Sequence, residues 1–115
     1  MAVSVSCHCG RVKFEVDADI GEVVECNCSM CVRSGFLHWY VEPDRIRYLT
    51  ERQGVSTYWW RSITGGQHFC SNCGTPLIRT STTFPPPVSV NARCIDGINL
   101  RDLTIRQFDG KHAYP

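Results

Sequence analysis

Apolar and polar residues alternate along much of the chain. Val3 and Val5 are interleaved with Ser4 and Ser6, and Val12, Phe14 and Val16 with Lys13 and Glu15. Successive strand residues point to opposite faces, so a period of two marks strands with one side in a core and the other in water. DADIG, residues 17–21, reads as the turn that follows. Further runs rich in β-branched and aromatic residues are VVEC, FLHWYV, IRYLT, VSTYWW, PLIRT and VSVNARC, punctuated by EPD, ERQG, TGG and FPPP. Short helical turns are expected only after Cys31 and around Gly97 to Leu103. The pattern predicts an all-β chain of several small antiparallel sheets. Within it, Tyr58 and Trp60 fall on the face expected to be core, and Trp59 on the other, where it can line a pocket.

The 115 residues are one domain's worth, so a single domain over residues 1–115 is expected, small enough for staples to help it. No run approaches the roughly 18 apolar residues of a membrane span. The opening MAVSVSCHCG has no basic segment followed by an apolar stretch, which points to a cytoplasmic protein rather than a secreted one. In a reducing compartment, eight cysteines in so short a chain are expected to be metal ligands or catalytic thiols, not disulfides.

Their spacing supports that reading. They fall as Cys7-x-Cys9, Cys26-x-Cys28-x-x-Cys31 and Cys70-x-x-Cys73, with Cys94 alone. Such hooks let neighbouring sulfurs converge on one ion, whereas a disulfide inside CxC would be strained. CHCG and CSNCG each carry a glycine after the second cysteine, Gly10 and Gly74, where a chain wrapping a metal can need positive φ. They read as matched halves of one site, Cys7, Cys9, Cys70 and Cys73, joining segments distant in sequence. Cys26, Cys28 and Cys31 remain, and three protein ligands with a fourth position for water or substrate is the arrangement of catalytic zinc. Cys94 or one of the four histidines can instead supply that fourth ligand and make the second site structural too. A redox role for CSMC or CSNC lacks the strand-to-helix context such motifs use.

CHCG, then CNCSMC followed by Ser34-Gly35, then HFCSNCGTPL, with VNARCIDG late in the chain, together resemble the glutathione-dependent formaldehyde-activating enzyme family, which includes centromere protein V and shares the Mss4-like fold. The resemblance implies an all-β domain holding two Zn2+ ions, one on Cys7, Cys9, Cys70 and Cys73 and one on Cys26, Cys28 and Cys31. It further implies a carbon–sulfur lyase that joins glutathione and formaldehyde reversibly into S-hydroxymethylglutathione, with a small-molecule thiol as partner. A metal-bound thiol is deprotonated, and thiolate is the form that attacks a carbonyl carbon. The competing class is a non-catalytic binding module stapled by zinc.

Other residues read more plainly. Arg33 sits where it can meet a substrate carboxylate, yet a solvated surface role is the simpler expectation. His38 and His68 are expected to be half-buried strand residues, Asp44 and Asp96 turn residues, and Pro85 to Pro87 a stiff loop. The formal charge of +1 falls to about −2 once seven thiolates and two Zn2+ ions are counted. With basic residues scattered, no nucleic-acid partner is expected, and no basic amphipathic helix suggests a membrane surface.

Overall fold

The structure, a computed structural model, describes residues 2–60, 65–81 and 88–113, apart from the side chains of Trp60 and Ala113. The expectations for the Trp60 side chain and for the proline loop therefore lie outside the described residues. Ten strands follow one another as β1 (Ala2–Ser6), β2 (Lys13–Asp17), β3 (Glu22–Cys26), β4 (Leu37–Val41), β5 (Ile46–Tyr48), β6 (Val55–Trp60), β7 (Gly65–Cys70), β8 (Pro76–Ser81), β9 (Val88–Asn91) and β10 (Thr104–Phe108). The helices are short: α1 (Ser29–Ser34), α2 (Gly110–Ala113) and single 3-10 turns. The chain is mostly β, as its period-two pattern predicts.

Among the described residues the strands form two sheets. One has three strands in the order β1-β2-β5; the other has seven, in the order β10-β3-β4-β9-β8-β7-β6. The larger sheet is mixed, because β10 runs parallel to β3 while its other pairs are antiparallel. The core lies between the sheets: Val5, Phe14 and Val16 from the small sheet pack with Trp39, Val41, Ile78 and Val90 from the large one.

Register sorts the large sheet into two faces. Trp39, Val90, Ile78, His68 and Thr57 are cross-strand neighbours in one row, directed to the core at its Trp39 end. The next row, Tyr40, Ser89, Arg79, Gln67 and Tyr58, belongs to the opposite face, because adjacent residues in a strand point oppositely. Tyr58 is consequently not in the core as expected but 52% exposed. Trp59 is 65% exposed on the other face, edge-on to His68 and over Gly66, where an added Cβ would lie 2.8 Å from its ring. His68 is half-buried as expected, bridging the hydroxyls of Thr57 and Thr80 at 2.7 and 3.0 Å.

Candidate metal centres

Two hairpin turns from different sheets build the first cluster. Cys7 and Cys9 lie in the β1–β2 turn, Cys70 at the end of β7 and Cys73 in the turn to β8. Each turn closes on a glycine. Gly10 N donates to Cys7 O and Gly74 N to Cys70 O, with φ of 83° and 80° at the two glycines, a region closed to other residues without strain. Amides of Asn72 and Cys73 point at Cys70 Sγ, and that of Val12 at Cys7 Sγ. The sulfurs of Cys7 and Cys9 are 3.6 Å apart and those of Cys9 and Cys70 3.7 Å. A tetrahedron with zinc–sulfur bonds of about 2.3 Å has sulfurs about 3.8 Å apart, so the donor set fits that ion. Burial pushes the Cys7 thiol up to about 11, while the Thr75 hydroxyl beside Cys73 brings its thiol down to about 5.

The second cluster stands apart from the main core. Cys26 ends β3, Cys28 caps the N-terminus of α1, and Cys31 lies inside that helix. Cys28 Sγ accepts from Cys31 N at 3.4 Å, which fixes the sulfurs on one side of the first turn. Helix α1 begins before Cys31 and not after it, because this cap starts it at Ser29; it stops at Gly35, whose φ of 72° lets its amide bond Cys31 O. The three sulfurs lie within 4.8 Å of one another, and no fourth cysteine, histidine or carboxylate among the described residues joins them. Met30 and Phe108 pack around the group.

Hydrogen bonds from Cys26 and then Cys31 push the Cys28 thiol far down, while hydrogen bonding with Cys26 and then with Cys28 pushes the Cys31 thiol up. Two buried residues that the sequence did not single out together face Cys31. Arg79 Nη1 donates to its sulfur at 2.8 Å, and His38 Nε2 is 3.1 Å away, its Nδ1 held by the Ser89 hydroxyl at 2.8 Å. His38, expected half-buried, is 3% exposed; burial and then Arg79 push its imidazole down to about 3, so the ring is neutral. Gln67, beside Arg79 in the polar row, reaches Met30 Sδ through Nε2, while its buried Oε1 has no hydrogen-bond partner among the described residues.

Cys94 does not reach this group. Its sulfur faces Pro76 O at 3.4 Å, and burial, then the charges of Cys7, Cys73 and Asp96, push its thiol up to about 11. It lies beside the four-cysteine cluster and not beside the triplet. Arg33 is exposed and donates to Ser29 O within its own helix, the surface role expected of it. Asp96 is a turn residue, bonded to Ser6 Oγ and through its amide to Ser4 O; Asp44 is exposed in a 3-10 turn.

The far end of the chain closes one side of the triplet. Asn27 Oδ1 accepts from Lys111 N at 2.8 Å, and its Nδ2 donates to Asp109 at 3.0 Å. That brings Gly110 so near that an added Cβ would lie 2.3 Å from Cys26 Sγ. Gly110→Ala is expected to lose the triplet's metal but keep the fold, at about 1–3 kcal/mol for overpacking. Elemental analysis of the purified variant should fall from two metal ions towards one; two retained ions would show that the closure is loose.

A cleft of about 320 Å³ is lined by Cys26 and Cys31. A protein-family model described as glutathione-dependent formaldehyde-activating enzyme matches residues 2–108. Among solved structures, a Rhodobacter sphaeroides protein determined as a structural-genomics target is similar, with a TM-score of 0.78 at 25% identity over 90% of this chain and 99% of that one.

Proposed function

The chain belongs to the glutathione-dependent formaldehyde-activating enzyme family, and from that membership and the open side of its cysteine triplet we propose that it is a zinc-dependent carbon–sulfur lyase acting on a thiol adduct. One observation carries the reading: three sulfurs converge without a fourth described ligand, beside a cleft deep enough for a small molecule. Cys26, Cys28 and Cys31 would hold the second ion and Cys7, Cys9, Cys70 and Cys73 the first. Bound zinc would keep a substrate sulfur deprotonated at neutral pH, as it does any coordinating thiol.

The chain's own residues do the rest. Arg79 offsets the negative charge that gathers on the sulfurs, and the neutral His38 adds none, so an anionic thiolate is better tolerated in a half-buried site. Met30, Phe108 and Gly110 limit water on the closed side, leaving the cleft as the way in. The reaction joins the sulfur of glutathione to the carbon of formaldehyde as the C=O π bond opens, and the thiol's proton ends on the new hydroxyl. Free thiols of this kind persist in a reducing cytoplasm, the compartment proposed.

The test is exchange NMR on glutathione mixed with formaldehyde. Interconversion with S-hydroxymethylglutathione should be at least about a hundredfold faster with the metal-loaded parent than with Cys28→Ser, since loss of a group that stabilises transition-state charge costs that much. Equal rates for the two proteins would defeat the lyase reading.

A further inference from the structure

We propose that the cleft beside the triplet is a site for an α-amino-acid headgroup: Arg93 takes the carboxylate, and Glu25 the ammonium, of a thiol whose sulfur reaches Cys26 and Cys31. This rests on the lyase reading above and names the substrate class it implies.

The cleft is lined by both cysteines, by Arg93 and Glu25, and by Val32 and Phe36, which offer an apolar wall for methylene groups. Arg93 is set there from below. Buried Asn91 accepts from the amides of Arg93 and Leu37 through one oxygen, at 3.2 and 3.3 Å, and donates to Pro76 O at 2.9 Å. The guanidinium Nε then donates to Gly35 O at 2.7 Å, where α1 ends. Its terminal nitrogens have no partner among the described residues, so the paired N–H groups that match a carboxylate remain available. Glu25 is oriented in turn by Gln107, whose Nε2 donates to one carboxylate oxygen at 2.8 Å. The other oxygen has no partner among the described residues.

Opposite charges lining one cleft would normally pair. Arg93 and Glu25 form no ion pair with each other, each being turned by a separate hydrogen bond. A cleft with a cation, an anion and cysteines that would hold a metal ion matches a molecule carrying carboxylate, ammonium and thiol. Cysteine has all three, and the γ-glutamyl end of glutathione carries the same zwitterion. Arg33, the cation nearest the triplet in sequence, is absent from this lining and is bonded within its own helix.

Calorimetric titration of the metal-loaded protein separates these contributions. The probes are L-cysteine, N-acetylcysteine (carboxylate only), cysteamine (ammonium only) and 2-mercaptoethanol (neither), with glutathione as a fifth. Each thiol is compared with itself across variants, so differences in thiol acidity cancel. Arg93→Gln should weaken cysteine, N-acetylcysteine and glutathione about tenfold or more, the effect of losing a charge-assisted pair, and leave cysteamine and mercaptoethanol within about twofold. Glu25→Gln should weaken cysteine and cysteamine and spare N-acetylcysteine. Arg93→Lys, which keeps the charge without the fork, should fall between, and serves if the glutamine variant sheds metal. Equal weakening of all five thiols would overturn the proposal, because Arg93 would then act only by holding α1. No change for any would overturn it as well. If no thiol binds the parent, the lyase reading falls and the headgroup site with it, an outcome distinct from thiol binding that ignores the headgroup.

Discussion

Cys73→Ser is expected to leave the chain unfolded at 25 °C, whereas Cys28→Ser stays folded. The four outer sulfurs come from two turns that belong to different sheets, so one ion there ties the small sheet to the large one. The loop it closes spans more than half the chain, which makes the tie costly to replace by other contacts. Structural zinc contributes on the order of 10 kcal/mol or more in small zinc peptides, and whole domains are stable by only about 5–15 kcal/mol. Losing a ligand therefore removes much or all of the margin. Cys7 and Cys70 are moreover part of the main core, and a mutant without metal would strand them there as thiols. The triplet forms a separate small cluster with Met30 and Phe108, so its loss loosens α1 and the segment around Gly110 without dividing the core. Circular dichroism melting with elemental analysis on the same samples checks this. Expected are two ions and a cooperative melt for the parent, one ion and a cooperative melt for Cys28→Ser, and no native melt for Cys73→Ser. A Cys73→Ser melt like the parent's, beside an unfolded Cys28→Ser, would reverse the roles of the two sites.

Much of this was legible in the chain because its signals are local. Period-two alternation announced β1 and β2, runs rich in β-branched and aromatic residues announced six more strands, and glycine after the second cysteine of two hooks announced turns that have the predicted positive φ at Gly10 and Gly74. Two strands carried no such signal. β7 opens on Gly65-Gly66, and β10 is exposed along nearly its whole length, so neither shows a buried face in alternation. Backbone pairing holds both: β10 lies parallel beside β3 through a register that side chains hardly mark. Phase also misled at β6, where three consecutive aromatic residues, Tyr58 to Trp60, made either face a plausible core and the hydrogen-bonded register put Tyr58 outward.

The site's surroundings were the least legible part. Arg79 sits in the buried middle of the strand PLIRTS, and its partner Cys31 is 48 positions earlier. Nothing within a window of ten residues could pair them. An arginine in the middle of a buried strand is itself the clue, since such a charge needs a partner. Still longer separations divide Arg93 from Gly35 and Gly110 from Cys26, contacts that the order of strands in the large sheet creates.

Whether the triplet keeps a position for substrate decides between a lyase and a binding module stapled by metal. Cobalt in place of zinc makes that position visible, because thiolate bound to cobalt gives charge-transfer bands in the near ultraviolet. The outer cluster already has four sulfurs and cancels in a difference spectrum. Adding glutathione to the cobalt protein should then intensify the bands by about one further thiolate per protein, from three at the triplet to four. The thiol enters by losing its proton, so its apparent affinity should rise with pH below the free-thiol pKa of about 8.5 and level off above it. S-methylglutathione, with no proton to lose, should leave the spectrum almost unchanged. A difference spectrum that stays flat on adding glutathione at every pH, from protein with both sites filled, would mean that the second site is closed and would contradict the lyase.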